Sequence, residues 1–226
     1  MAGCCQTSEN GLKKKGDIQM AKIGVFFSAG YEEIEALTVV DLCRRAGIEV
    51  TMVSVDETAA VTGSHQITVQ MDQLLSETDF DAFDLLVLPG GMPGTLHLEA
   101  CDGLMEQLDR FYSAGKWVAA ICAAPQIFGH RGYLKGRKAT SFPSMEKELD
   151  GAFVTHGAAE VDGNVITGRG MGCAIDFALK IIGCLISEEE AAAQAERIVY
   201  ERETEFTDEY FILFDTKERG RLCGGN

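Results

Sequence analysis

The chain has 226 residues, 46% apolar, 24% charged and 8% aromatic, enough for one sizeable core with appended tails. With 20 Lys and Arg against 35 Asp and Glu, its net charge of −15 repels phosphate backbones and argues against a nucleic-acid partner. No apolar run reaches the roughly 20 residues of a membrane-spanning helix, and Met1 to Met20 has no hydrophobic signal segment, so a cytoplasmic protein without membrane contact is expected.

Residues 1–20 lack apolar periodicity and hold three consecutive lysines, so a flexible N-terminal extension is expected there. KIGVFFS (Lys22 to Ser28) reads as a buried strand. Glu33 to Gly47 reads as a helix with Ile34, Leu37, Val40 and Leu42 inward and Gly47 as C-cap. A second strand follows at Glu49 to Val55, a short hairpin or edge element at Gln66 to Met71, and a third buried strand in DLLVLPGG (Asp84 to Gly91). A helix from about Leu98 to Ala114 leads to the strand WVAAIC (Trp117 to Cys122), and another helix starts at Ala124. Lys138 to Ser141 and Ala152 to Thr155 are short strand candidates, and NVITG (Asn164 to Gly168) feeds a helix from Cys173 to Ile186. This alternation implies right-handed crossovers and a mostly parallel sheet covered on both faces, a doubly wound α/β domain over residues 21–187. From Ser187 onward there are 11 acidic and 5 basic residues, and 188–226 reads as an acidic helix and tail, apolar only in YFILF (Tyr210 to Phe214), which could dock on the body or a partner subunit.

Ligands of such sheets bind where strands end, so the residues after each strand come first. In AICAAP (Ala120 to Pro125) a buried strand stops at Cys122 and a helix starts at once, with small neighbours that permit a tight nucleophile elbow. The helix N-terminus is expected to lower the thiol pKa, although a lone cysteine is also commonly a small core hydrophobe. In GYEEIE (Gly30 to Glu35) the carboxylates could simply favour the positive end of a helix dipole. At most one is expected to be catalytic, and Glu35, if turned inward, would be raised by burial into a proton donor. In LPGGMPG (Leu88 to Gly94) bare glycine backbone could offer an oxyanion hole or make a tight turn. The eight cysteines have no C-x-x-C pair or nearby His cluster, so reduced thiols and no metal are expected.

Taken together, GYEEIEA, LPGG, AAICAAP and TGRGMGCAIDFALKI resemble the ThiJ/PfpI superfamily, in its branch of Parkinson-disease-type protein deglycases and bacterial YajL-like proteins, over Ala21 to about Ser187. The resemblance implies a flavodoxin-like α/β sandwich and a homodimer. It implies Cys122 as nucleophile or oxidisable thiol, Glu35 as the buried acid bonded to its sulfur, and Gly90, Gly91 and Ala123 as backbone donors beside it. His65, and with it Arg44 and Arg45, would contribute to the dimer interface. The implied activity is cofactor-independent, glyoxalase-like or deglycase-like turnover of small aldehydes such as methylglyoxal, or redox-regulated chaperone behaviour toward client proteins through oxidation of Cys122. Three positions depart from the pattern: Phe142 stands where many members have His, Met171 where Pro is common, and Cys173 where Thr or Ser is usual. These departures predict weaker aldehyde turnover. Ala123, in place of a His after the nucleophile, argues against the peptidase-like branch.

Overall fold

The computed structural model describes residues 20–201; the expected N-terminal extension, apart from Met20, and the YFILF stretch lie outside the described residues. The chain runs β1 (Lys22–Phe27), α1 (Glu33–Arg45), β2 (Glu49–Ser54), β3 (Ala60–Thr62), β4 (Thr68–Gln70), β5 (Gln73–Leu74), β6 (Leu85–Leu88), α2 (Gly94–Glu99), α3 (Asp102–Ser113) and β7 (Trp117–Ile121). It continues through α4 (Pro125–His130), β8 (Lys138–Ala139), β9 (Phe153–Val154), β10 (Ala159–Asp162), β11 (Val165–Gly168), α5 (Ala174–Leu185) and α6 (Glu188–Arg197). Seven strands form the main sheet in the order β10-β11-β7-β6-β1-β2-β5. Every neighbouring pair is parallel except β10 and β11, which form an antiparallel hairpin. This is a flavodoxin-like doubly wound α/β arrangement.

The central strands are continuous apolar runs because both faces are covered. Side chains alternate between two cores. Val25, Phe27, Val87, Ala119, Ile121 and Ile166 pack with Val39 and Val40 of α1 and with Phe177 and Ile181 of α5. Phe26, Leu86, Leu88, Val118, Ala120 and Val165 pack on the other side with Leu104, Leu108 and Phe111 of α3 and with Ile127 and Phe128 of α4. α6 lies against α5 through buried Ala191, and its N-terminus is capped by Ser187 Oγ, which accepts the Glu190 N–H at 3.2 Å.

The first helix differs from its sequence-based reading. Ile34 is 50% exposed, and the inward positions are Glu33, Glu35, Ala36, Val39, Val40, Leu42 and Cys43. Val40 and Leu42 are inward as expected and Leu37 is half-buried, but in the first turn two carboxylates take the inward slots that apolar periodicity assigns to Ile34. Ala46 is the cap, and Gly47 follows it in the left-handed region at φ +82°. The single helix expected before β7 is two, because Cys101 is extended (φ −85°, ψ 94°) and Asp102 opens a new first turn. β5 and β10 carry too little apolar signal to be anticipated: one has two residues, the other is half-exposed AEVD.

Candidate active site

β7 delivers Cys122 to the carboxyl edge of the sheet, and the backbone there is forced into an unusual shape. Cys122 has φ +64°, in the left-handed region that residues with a Cβ avoid. Such a conformation costs about 1–3 kcal/mol and persists only when its surroundings fix it. They do so from both sides: the Cys122 N–H donates to the Gly168 carbonyl at 2.9 Å, and its own carbonyl accepts the Phe142 N–H at 2.8 Å. Pro125 opens α4 immediately afterwards, where its missing N–H is no loss. The Ala123 N–H is directed at the sulfur and favours its charged form.

Glu35 reaches the same point from α1. Glu32 caps that helix, its Oε2 accepting the Glu35 N–H at 2.7 Å. The Glu35 side chain is fully buried. Its Oε2 accepts the Gly90 N–H at 2.9 Å, and its Oε1 is one of the few buried polar atoms without a hydrogen-bond partner among the described residues. Burial pushes the carboxyl up from 4.5 to about 7; the hydrogen bond with Cys122 opposes this, the Glu32 charge adds to it, and the Gly90 amide opposes it.

Gly90 is where these groups meet. A Cβ on it would sit 2.7 Å from Cys122 Cβ and 2.7 Å from Glu35 Oε2, so any side chain would separate acid from thiol. Gly91, at φ +93°, would drive a Cβ to 2.4 Å from the Glu32 nitrogen.

Two expectations need correcting. The Gly90 amide is engaged by the Glu35 carboxylate, so it is not a free oxyanion donor; among the described residues Gly91 and Ala123 make no backbone hydrogen bond through their N–H groups. The thiol is not lowered. Burial first, then the negative charge of Glu35 and its hydrogen bond, push Cys122 above its ordinary value, and these outweigh the Ala123 amide. The helix beyond it has only six residues, too few for a strong dipole to compensate.

The other candidates stand apart from this pair. The exposed His65 ring is 2.9 Å from Glu33 Oε2, and its backbone N–H donates to Glu33 Oε1 at 2.7 Å. Burial alone would raise Glu33, but the His65 side-chain and backbone hydrogen bonds win and lower it. Arg44 bonds Asp72 at 2.7 Å and the Val50 carbonyl at 3.0 Å, and Arg45 pairs with Asp41 one turn earlier at 2.7 Å. His130 is held between Glu99 and Glu148, away from the thiol. Glu32, Glu33 and His65 bring three ligand atoms within 4.8 Å of one another, the metal-like grouping among the described residues, but the Glu33 carboxylate is already satisfied by Ser64 and His65. Sequence reasoning did not single out Glu32 as a charge acting on both members of the pair, nor Gly168 and Phe142 as backbone clamps. The three glutamates of GYEEIE were the available signal, and the structure divides them into cap, loop anchor and buried acid.

Known proteins resemble the chain over most of the described residues. The chain is 37% identical over 172 residues to DJ-1 homolog B of Arabidopsis thaliana, covering 75% of this chain but only 39% of that protein, so it spans about two fifths of that relative's length. It is 36% identical over 142 residues to a protein of Pyrococcus abyssi named as a deglycase, covering 62% of this chain and 84% of the relative. The solved structure of oxidised DJ-1 from Toxoplasma gondii superposes with a TM-score of 0.77 at 34% identity, covering 80% of this chain and all of that one. Residues 21–183 match the model of the DJ-1/PfpI family, and the chain belongs to that family.

Proposed function

We propose that the chain is a cofactor-independent thiol enzyme converting small 2-oxoaldehydes, methylglyoxal among them, to 2-hydroxy acids. The observation that carries this reading is one buried carboxyl, Glu35, set between the Gly90 amide and the Cys122 thiol. A carboxyl raised to about 7 gives and takes a proton near neutrality, which is what a single acid–base residue must do. When it is protonated, the charge that raises the thiol is gone and the sulfur ionises more easily.

The thiolate adds to the aldehyde carbon, forming a C–S bond, and the former carbonyl oxygen takes the Glu35 proton to give a hemithioacetal. The Glu35 carboxylate then removes the proton on that carbon and returns it to the neighbouring carbon, while the hydroxyl proton passes to the neighbouring oxygen, leaving the thioester of a 2-hydroxy acid. Water cleaves the thioester and frees the thiol. The sum is methylglyoxal plus water to lactate, without an external oxidant or reductant. The relative named as a deglycase supports chemistry on reactive carbonyls. Lactate formation from methylglyoxal tests it: wild type should be active, Cys122→Ser inactive, and Glu35→Gln slowed by about 100-fold or more. Turnover that survives Cys122→Ser rejects it.

A second reading is favoured by one observation, that a relative was solved in an oxidised form. Cys122 would then be the residue oxidised first, to a sulfinic acid, in a redox-regulated chaperone. After mild peroxide, mass spectrometry should find two added oxygens on Cys122 before any other thiol; earlier oxidation elsewhere rejects this reading.

We further infer a homodimer built on the groove lined by Ile34, Leu37, Ile67, Ile175 and Ile198, with Asp41 and Arg45 on its rim.

A further inference from the structure

Three of the segments that shape the thiol site leave it as short helices of equal length. The loop carrying Gly90 and Gly91 runs into α2, Cys122 runs into α4, and Phe142 runs directly into the 3₁₀ helix Pro143–Glu148; each helix has six residues. A helix of that length carries its last residue about 9–12 Å beyond the loop it leaves. The last residues are Glu99, His130 and Glu148, and they meet. His130 Nδ1 is 2.6 Å from Glu99 Oε1, and His130 Nε2 is 3.3 Å from Glu148 Oε2. Gly129, just before the histidine, has no room for a side chain: a Cβ there would collide with the Glu148 carbonyl oxygen and stand 2.9 Å from the Asp150 nitrogen, so α4 and the 3₁₀ helix abut backbone to backbone.

This geometry sets a requirement on charge. A neutral imidazole has one N–H and one bare lone pair, yet both ring nitrogens of His130 face carboxylate oxygens. Only the imidazolium donates to both. The His130 side chain is 38% exposed, so its proton exchanges with solvent. The other charged groups of the elements around it have partners of their own or face water. Lys147 pairs with the second Glu148 oxygen at 3.4 Å, Glu146 with Arg169 at 3.2 Å and His156 at 3.3 Å, and Arg131 with Asp109 of α3. His97 of α2 is directed at the Ala29 carbonyl, and Asp150 is exposed.

We propose that His130 is a positioning residue: its imidazolium fastens the far ends of the three segments that shape the Cys122 site, and loss of its proton frees Glu148 and, through the 3₁₀ helix, slackens the Phe142 N–H that holds the Cys122 carbonyl. Glu148 is the partner released because its contact is the longer, and the remaining proton stays on Nδ1 against Glu99. The Glu99 hydrogen bond, against burial, and then the Glu148 bond and both charges hold the ring above its ordinary 6.5. The clasp is therefore complete below 6.5 and is lost as pH rises through the raised value. This holds whichever molecule Cys122 acts on.

Amide hydrogen exchange on the full chain, followed by NMR with each protection factor taken relative to the intrinsic rate at that pH, tests it. From pH 6 to pH 9 the protection of the Phe142 N–H should fall about threefold or more in wild type, the scale of a part-exposed ion pair. The Val118 N–H, which donates to the Asn164 carbonyl, should keep its protection. His130→Arg, which retains a charge and donors for two carboxylates, should hold Phe142 protection flat, and His130→Gln should show the low value already at pH 6. Glu148→Gln leaves the histidine in place and should match His130→Gln, so the outcome stands even where a His130 variant does not fold. Iodoacetamide labelling of Cys122, read by peptide mass spectrometry, should run equally fast in wild type and His130→Arg at pH 6, and about threefold or more faster in wild type at pH 9 as the elbow loosens. Phe142 protection that stays flat in wild type, that falls equally in His130→Arg, or that falls only together with Val118 overturns the proposal, as does a labelling ratio of one at both pH values.

Discussion

Glu35 makes the energetics of a functional residue visible. A carboxyl whose pKa in the folded chain lies at about 7, above its ordinary 4.5, binds its proton more tightly folded than unfolded. Relative to a group without this shift, its contribution is favourable below the unfolded value and is lost as pH rises from about 4.5 through about 7. The loss amounts to about 3 kcal/mol once both states are ionised, at 1.36 kcal/mol per unit. Glu35→Gln keeps an acceptor for the Gly90 N–H without a titratable charge. Thermal unfolding should therefore show Glu35→Gln more stable than wild type at pH 8, with the difference vanishing toward pH 4; a wild type that gains stability relative to the variant as pH rises from 4 to 8 contradicts the buried carboxyl. The same substitution removes the charge that pushes Cys122 upward. Ultraviolet thiolate absorbance should accordingly rise at lower pH in Glu35→Gln than in wild type.

At the scale of elements, the junction of β7 and α4 holds the strain. Alanine is ordinarily better than glycine by about 0.5–1 kcal/mol in regular structure. At position 122, where φ is +64°, the order should reverse, because glycine alone escapes the left-handed penalty. Cys122→Gly should melt above Cys122→Ala, and both should be inactive; the opposite order of melting would mean that the elbow is unstrained. Gly90→Ala places a methyl 2.7 Å from both the thiol carbon and the acid oxygen, and should cost about 1–3 kcal/mol of stability, by overpacking, together with nearly all turnover. The sequence made much of this legible. β1, β6 and β7 are unbroken apolar runs, and AICAAP announces a sharp turn through its small residues. The later turns of α1 were legible in Val40 and Leu42, but its first turn was not, because hydrophobic periodicity points to Ile34 and has no way to seat Glu33 and Glu35 inward. The role of the Gly90 amide was hidden for a related reason: a glycine after a strand looks the same whether its N–H awaits a substrate or already holds a carboxylate. The direction of the thiol shift depended on burial, which spacing does not reveal.

For the whole molecule, one face remains unaccounted for by the sheet and its helices. Ile34 is 50% and Ile67 52% exposed, on α1 and on the β3–β4 loop, and they share a groove with Leu37, Ile175 and Ile198. The inward turn of Glu33 and Glu35 is the cause of this exposure: by taking core positions they rotate Ile34 to the surface. The catalytic geometry of α1 and the apolar outer face are thus two consequences of one helix phase. A two-fold copy would cover the groove with the same groove, and each half-exposed isoleucine so buried contributes about 1 kcal/mol. Sedimentation should give wild type at twice the mass of the chain and Ile34→Asp as a monomer that retains the circular dichroism of the fold. Because Ile34 lies between Glu33 and Glu35, the monomer should also form lactate more slowly; Ile34→Leu, which keeps the apolar surface, should restore both mass and rate. A wild type that sediments as a monomer at micromolar concentration removes the dimer, and a monomeric Ile34→Asp with undiminished turnover separates assembly from the chemistry of the thiol.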